Sequence, residues 1–237
     1  AAPIVTYTSV TNIDSLKGYY VYSDLADSLA TYGWGDKSDG DTTSIWPNRA
    51  QWITPYPLNN LRQSTSSKCP TYSPDSGVIF DGTDDYLIGD GATTHPQSNT
   101  FVIIYRAHSS GVAWAGADAT RSEYAIAAAG GAWSFSAQYS NKASAQTANS
   151  DSLYLLIADM SSTAVPEVNG LVLNPASSFF IGTEPHFGLT LGASDNGFSN
   201  LTCSIREFLF YAKQLTELEK ANLRTYYATK YSIDVTP

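Results

Sequence analysis

The sequence predicts an all-β protein, a two-sheet antiparallel sandwich closed by one C-terminal helix. Three observations predict it. Short runs rich in β-branched and aromatic residues follow one another from residue 78 onward, punctuated by Gly, Asn and Pro. Charged residues make up only 15% of the chain, against a typical ~25%, and 16 tyrosines with many Ser and Thr take their place. Such a composition suits pleated, half-buried strands. A helical period appears in one segment, near the end.

Taken in order, Gly18-Tyr19-Tyr20-Val21-Tyr22 reads as the first strand. Residues 31–77 are rich in loop formers yet hold Trp34, Trp46 and Trp52. A disordered linker rarely holds that much aromatic surface, so this region is expected to be ordered and packed on the body. Val78-Ile79-Phe80 and Tyr86-Leu87-Ile88 flank an acidic turn, Asp81 to Asp85. Thr100 to Arg106 is apolar on both alternating faces until Arg106, as in a strand covered on both sides. Ser152 to Asp159, Gly170 to Leu173, Phe179 to Gly182, Leu189 to Gly192 and Ser204 to Tyr211 continue the series. The Ala-, Ser- and Gly-rich stretch 127–150 is expected to form hairpins. Thr216-Glu217-Leu218-Glu219 is a capping box, and Leu223, Tyr226, Tyr227 and Tyr231 fall on one helical face. The expected organisation is one domain over 1–237: an N-terminal arm 1–17, a loop-rich part 18–77 packed on the sandwich, and a C-terminal helix 214–231.

Bulk properties exclude some functions. With a net charge of −9 and no Lys/Arg cluster, the chain lacks the basic face that nucleic acid or an anionic membrane requires. No run approaches the ~20 apolar residues of a membrane span; the longest, Leu153 to Ala158, is strand length. The chain starts Ala-Ala-Pro and its only Met is Met160, so an initiator Met is expected to have been removed, by trimming or by signal-peptide cleavage. Cys69 and Cys203 fit either one bridge or two buried thiols. His95, His108 and His186 are scattered, and nothing suggests zinc.

Two stretches carry a family resemblance. One is Phe80-Asp81-Gly82-Thr83-Asp84-Asp85-Tyr86-Leu87. The other runs from Ser204-Ile205-Arg206-Glu207-Phe208-Leu209-Phe210-Tyr211 through Leu215-Thr216-Glu217-Leu218-Glu219 to Tyr226-Tyr227-Ala228-Thr229-Lys230-Tyr231-Ser232-Ile233. Between them, Asp159 and Asn169-Gly170 stand where the pattern has an Asp strand followed by an Asn-Gly hairpin. Together these resemble the laminin-G-like, concanavalin A-like jelly-roll family found in phage virion and bacterial surface proteins. The resemblance covers residues 65–233 well and 18–64 loosely; Ser232 departs from it where the family often has Gly. It implies an antiparallel jelly roll with the helix packed on it. It marks Phe80, Asp81, Gly82, Asp85, Glu207, Tyr211, Thr216 and Glu219 as structural motif positions. It implies no single function.

Candidate sites follow from residue chemistry. Asp81-Gly82 is foremost a turn, Gly supplying a positive φ and Asp a local side-chain bond. Asp81, Asp84 and Asp85 also offer a partial oxygen shell for calcium, although the spacing is not that of an EF-hand loop. Trp114, Tyr124, Trp133 and Tyr139 lie among small residues and are candidates to stack on a sugar, or else pack the sandwich. No catalytic residues are assigned. The Glu-x-Asp-x-(x)-Glu strand of glucanases is absent, and Glu123, Glu167, Glu184 and Glu207 stand alone. Arg121-Ser122-Glu123 resembles the Arg-Ser-Glu strand of alginate-lyase jelly rolls, without their Gln-Ile-His partner. Glu207 is expected to pair with a neighbouring Arg or to orient a loop.

The expected function is a non-enzymatic surface module. It would be a virion decoration or adhesion protein on a virion, cell or other extracellular surface, binding carbohydrate or a protein partner. It would need no cofactor beyond calcium, and would act as a homo-oligomer or on a capsid or tail lattice. The alternatives are a calcium-dependent lectin and a polysaccharide-cleaving enzyme, glucanase- or lyase-like.

Overall fold

The computed structural model describes residues 10, 13–25, 37–52, 59–95, 99–108, 114–117, 124–127, 132–137, 140–147, 152–160, 166–172, 186–193, 200 and 202–235. The strands in chain order are β1 (Leu16–Val21), β2 (Ile45–Trp46), β3 (Leu61–Arg62), β4 (Thr71–Ser73), β5 (Gly77–Asp81), β6 (Leu87–His95), β7 (Asn99–Ala107) and β8 (Trp114–Ala117). They continue with β9 (Tyr124–Ala127), β10 (Ala132–Ala137), β11 (Ser140–Thr147), β12 (Tyr154–Met160), β13 (Glu167–Val168), β14 (Leu171–Val172), β15 (His186–Leu191) and β16 (Thr202–Tyr211), and the helix α1 (Glu217–Tyr231) ends the series.

The result is a jelly-roll sandwich of antiparallel sheets with one C-terminal helix. The main sheet has eight strands in the order β14-β13-β12-β7-β16-β5-β4, with β1 also on β16. The facing sheet runs β2-β3-β6-β15-β8, and a three-stranded meander, β11-β10-β9, lies beside β8. The hairpins expected over 127–150 are β10 and β11 of that meander. The strand expected at Phe179 to Gly182 lies outside the described residues. Stretch 18–77 is not only a packed appendage: it supplies most of β1 and all of β2 to β4, in both sheets.

Period-two alternation splits the main sheet's side chains between two cores. Phe101, Ile103 and Tyr105 of β7 face the second sheet, with Leu156 and Ala158 of β12 and Phe208 and Phe210 of β16. Val102 and Ile104 point the other way, with Leu155, Ile157 and Leu209, into a second core under α1. Burial on both faces is what the apolar run in β7 encodes. Residues 46–50 are pinned to this body. Trp46 is fully buried and its Nε1 donates to Val21 O at 3.1 Å. Asn48 Oδ1 accepts from the amides of Tyr19 and Ala50 at 2.8 and 2.9 Å.

Local chemistry sets the ends of elements. Asn169 and Gly170 join β13 to β14 with φ of 50° and 81°, the two positive values a tight hairpin turn requires. Asn169 Oδ1 also accepts from Leu155 N at 2.8 Å, tying the hairpin back to β12. Thr216 starts α1 with a complete capping box: its hydroxyl accepts from Glu219 N at 3.3 Å while its own amide donates to Glu219 Oε2 at 2.9 Å. The helix begins at Glu217 rather than at 214, because Thr216 has extended backbone. Ser232 ends it in the left-handed region, φ 54°, the conformation that makes Gly the usual residue there. Among the described residues no helix is long and apolar enough to cross a membrane.

The two caps give opposite predictions. Thr216→Ala removes a side-chain acceptor for an orphan amide and lowers unfolding free energy by ~1 kcal/mol. Ser232→Gly relieves the left-handed strain and raises it by ~1 kcal/mol. Urea denaturation followed by circular dichroism reads both.

Candidate functional site

The acidic turn is built by its own hydrogen bonds. Asp81 Oδ1 accepts from Thr83 N at 2.7 Å and from Asp84 N at 3.3 Å. Asp85 Oδ2 accepts from Asp81 N at 3.0 Å, so the chain closes on itself. Gly82 has φ +77°, and a Cβ there would stand 2.2 Å from Thr202 Oγ1 and 2.7 Å from Thr202 N. The turn therefore lies against β16, where Thr202 Oγ1 donates to Asp81 O at 3.1 Å and Asn200 Nδ2 donates to Thr83 O. Phe80, just before it, is fully buried in the inner core. Asp81, Asp84 and Asp85 each offer a carboxylate oxygen within 4.8 Å of the others. Asp85 is buried, and desolvation lifts its carboxyl to about 6 against the pull of the Asp81 amide, with the Asp81 and Asp84 charges raising it further.

A second polar group lies between the main sheet and α1. Cross-strand partners on the outer face form rows: Asp159 with Thr100 and Tyr211, Ile157 with Val102 and Leu209, Leu155 with Ile104 and Glu207. The carboxylates in these rows meet helix cations. Lys220 pairs with Asp159, which also accepts from Thr100 Oγ1 at 2.6 Å. Lys230 pairs with the fully buried Glu207, which also accepts from the hydroxyls of Tyr227, at 3.0 Å, and Tyr231. One strand further out, Arg224 donates to both oxygens of Glu167 at 2.8 and 2.9 Å, though burial still raises that carboxyl. Glu207 thus pairs with a lysine and two tyrosines, not with the neighbouring Arg that the sequence suggested. Tyr211 is buried and its hydroxyl donates to Val10 O at 3.2 Å.

These contacts decide what the acids can do. The buried carboxylates among the described residues are Asp85, Asp159, Glu167, Glu207 and Glu219, and each is held by a backbone amide or a cation. Glu123 and Glu184 lie outside the described residues.

The aromatic candidates fall on the second layer. Trp114 opens β8, Tyr124 opens β9, and Trp133 is in β10, so three successive neighbouring strands carry them. Tyr139 lies outside the described residues. Cys69 and Cys203 are both free and buried; burial raises both thiols, so the unpaired reading holds. The histidines are less scattered than the sequence suggested: His95 on β6 and His186 on β15 are directly opposite in register. Sequence reasoning could not find this, because the pairing partner of a strand is not written in the strand.

No family profile matches the chain, and no curated relative does. Solved structures do match. Trypanosoma rangeli sialidase in complex with sialic acid aligns with TM-score 0.66 and 10% identity over 93% of this chain and 34% of that one. The ligand-binding domain of botulinum neurotoxin serotype D in complex with N-acetylneuraminic acid aligns with TM-score 0.54 and 11% identity over 94% of this chain and 52% of that one. The receptor-binding domain of a botulinum neurotoxin C/D mosaic serotype gives TM-score 0.56 and 11% identity over 92% and 52%. The chain spans about a third of the length of the sialidases and about half of the toxin domains. At these identities the likeness is one of fold: the chain has the β-sandwich that these proteins contain.

Proposed function

We propose that the protein is a non-enzymatic carbohydrate-binding module that works at a surface. The observation that carries this reading is the placement of Trp114, Tyr124 and Trp133 on three adjoining strands of the layer opposite the helix. Aromatic side chains on neighbouring strands supply the flat platforms on which pyranose rings stack. The fold is consistent with it, since the similar sialidase and toxin structures hold sialic acid and N-acetylneuraminic acid. The binding residues proposed are those three with Tyr139. The engagement of every described buried carboxylate supports a binding role over the two-carboxylate mode of glycoside cleavage. The laminin-G-like resemblance sets such a module on a cell or virion surface, as one domain in a multimer or lattice.

A second reading, calcium dependence, rests on the three carboxylates that converge at Asp81, Asp84 and Asp85. They fit the hard oxygen chemistry of calcium but supply three of the 6–8 oxygens it takes. Two of the carboxylates already accept backbone amides.

A glycan array tests the first reading. The expected result is saturable binding to a restricted set of glycans, including N-acetylneuraminic acid-terminated ones, that Trp133→Ala abolishes with the fold intact by circular dichroism. An array with no binding overturns it.

The turn gives a pH prediction. A folded-state carboxyl raised to about 6 from its ordinary 3.8 binds a proton more readily than in the unfolded chain. Its contribution to stability is therefore fully present below ~4 and lost as pH rises through ~6. Wild type should gain stability relative to Asp85→Asn when pH is lowered from 7 to 4, by denaturant titration. Calcium acts in the opposite sense, because it binds the ionised carboxylates. If it binds, millimolar calcium raises Tm more at pH 7 than at pH 5, and Asp84→Asn removes the effect; an unchanged Tm at pH 7 excludes the calcium site.

A further inference from the structure

The fold brings together two histidines that neither the acidic turn nor the helix anchors use. His95 is the last residue of β6, His186 is the first of β15, and the two are register partners. Residues directly opposite on antiparallel strands share one face of the sheet, with Cβ atoms about 4.5–5.5 Å apart. Two of the chain's 3 histidines thus occupy a single rung. The expectation of no zinc rested on their separation in sequence, which the strand pairing removes.

That rung lies at a corner of the second sheet. Leu191 with Leu87, Thr190 with Ile88 and Leu189 with Gly89 are consecutive rungs between β15 and β6. The register then shifts, and two further rungs follow, Phe187 with Thr94 and His186 with His95. On one side β8 reaches Phe187 through Ala117, its last residue; on the other, β3 meets β6 only at Ile88. Among the described residues no third strand therefore pairs with either histidine. An irregular step disrupts a ladder locally, so backbone hydrogen bonds hold the two end rungs weakly. The corner gains from any further tie between its strands.

The chemistry of the pair supplies one. Neutral imidazole is a ligand for divalent zinc, copper and nickel, with nitrogen about 2.0–2.1 Å from zinc. Two imidazoles carried on facing residues of one rung can each bring a nitrogen to the same ion. Bare, such a pair sets like charges on one rung whenever both rings protonate, which is unfavourable. The carboxylates of Asp81, Asp84 and Asp85 are a separate group, of hard oxygens, at the end of β5 in the other sheet.

We propose that His95 and His186 are the protein ligands of a divalent transition-metal site, for zinc, copper or nickel, completed by water, that clips the ends of β6 and β15 together. The proposal goes beyond carbohydrate binding and does not depend on it. The clip braces the layer that carries Trp114, because β8 pairs with β15.

The test is calorimetric titration of the full chain at neutral pH with zinc chloride, and with copper(II) chloride as a second probe. The expected result is saturable binding of one equivalent, reversed by EDTA and accompanied by a rise in Tm. Loss of an outer-shell partner typically costs about 10–100-fold in metal affinity, so His95→Ala and His186→Ala should each weaken binding about tenfold or more. His108→Ala is the control and should change nothing: His108 belongs to the main sheet, where its amide donates to Thr202 O at 2.8 Å. Circular dichroism checks that the variants fold. The electron paramagnetic resonance spectrum of the copper-loaded wild type needs no variant, and should show two nitrogen ligands. No saturable binding of either metal, or a copper spectrum with fewer than two nitrogens, overturns the proposal. Binding that survives both His95→Ala and His186→Ala overturns it too; if Asp84→Asn then removes that binding, the metal belongs to the acidic turn. A glycan array run in EDTA reads carbohydrate binding independently of either result.

Discussion

Val102, Ile104, Leu155, Ile157 and Leu209 give the main sheet an apolar outer face, and the arrangement of everything on that side answers the need to cover it. Each such side chain gains roughly 1.5–3 kcal/mol by leaving water. α1 provides the cover with Leu223 and Tyr227. Apolar contact alone leaves the helix free to slide along the strands. The charge pairs remove that freedom. Lys220 to Lys230 spans about 15 Å at the rise of an α-helix, and Tyr211 back to Glu207 spans about 13 Å of strand. The two lysines therefore meet Asp159 and Glu207 at the two ends of the apolar rows only when the helix runs back along β16. Arg224 on Glu167 fixes the third direction, across the sheet. Buried pairs of this kind add little net stability, but breaking one strands a charge in the interior. Their role here is to set register and leave the packing to supply the energy.

The bulge at Arg206 comes from a different constraint. β16 is ten residues long, and no single strand covers its second edge. β5 pairs with residues 202–205 and β1 with residues 207–211. The handover leaves a gap at residue 206, which the Arg206 side chain fills by stacking near Tyr22 and reaching Asp75 O. Gly77 belongs to the same junction: its φ is +102° and a Cβ would come within 2.4 Å of Ile205 O. One extra residue puts Arg206 and Glu207 on the same side. There Arg206 packs over the rings of Tyr22 and Tyr231 while Glu207 anchors the helix.

Much of this frame was legible in the chain. Thr216 and Glu219 announce the helix start, Asn169-Gly170 the hairpin, and Asp81-Gly82 the turn, because each needs only neighbours within a few residues. The double-sided apolar run that stops at Arg106 told of a covered sheet and of where the cover ends. What stayed hidden is what depends on pairing between distant segments. Strict alternation would have put Arg206 and Glu207 on opposite faces; the bulge is created by β1 and β5, more than a hundred residues away. The partner of Glu207 was misread for the same reason, since Lys230 reaches it across a tertiary contact and not along a strand. His95 and His186 looked unrelated until β6 and β15 met.

The accounting of charge among the described residues shows what the buried acids do. An excess of acidic residues suggests, on its face, a protein with carboxylates to spare. The described interior shows the reverse. Asp85 holds a turn, Asp159, Glu167 and Glu207 hold a helix, and Glu219 holds that helix's own cap. Acids committed in this way support the binding role proposed above.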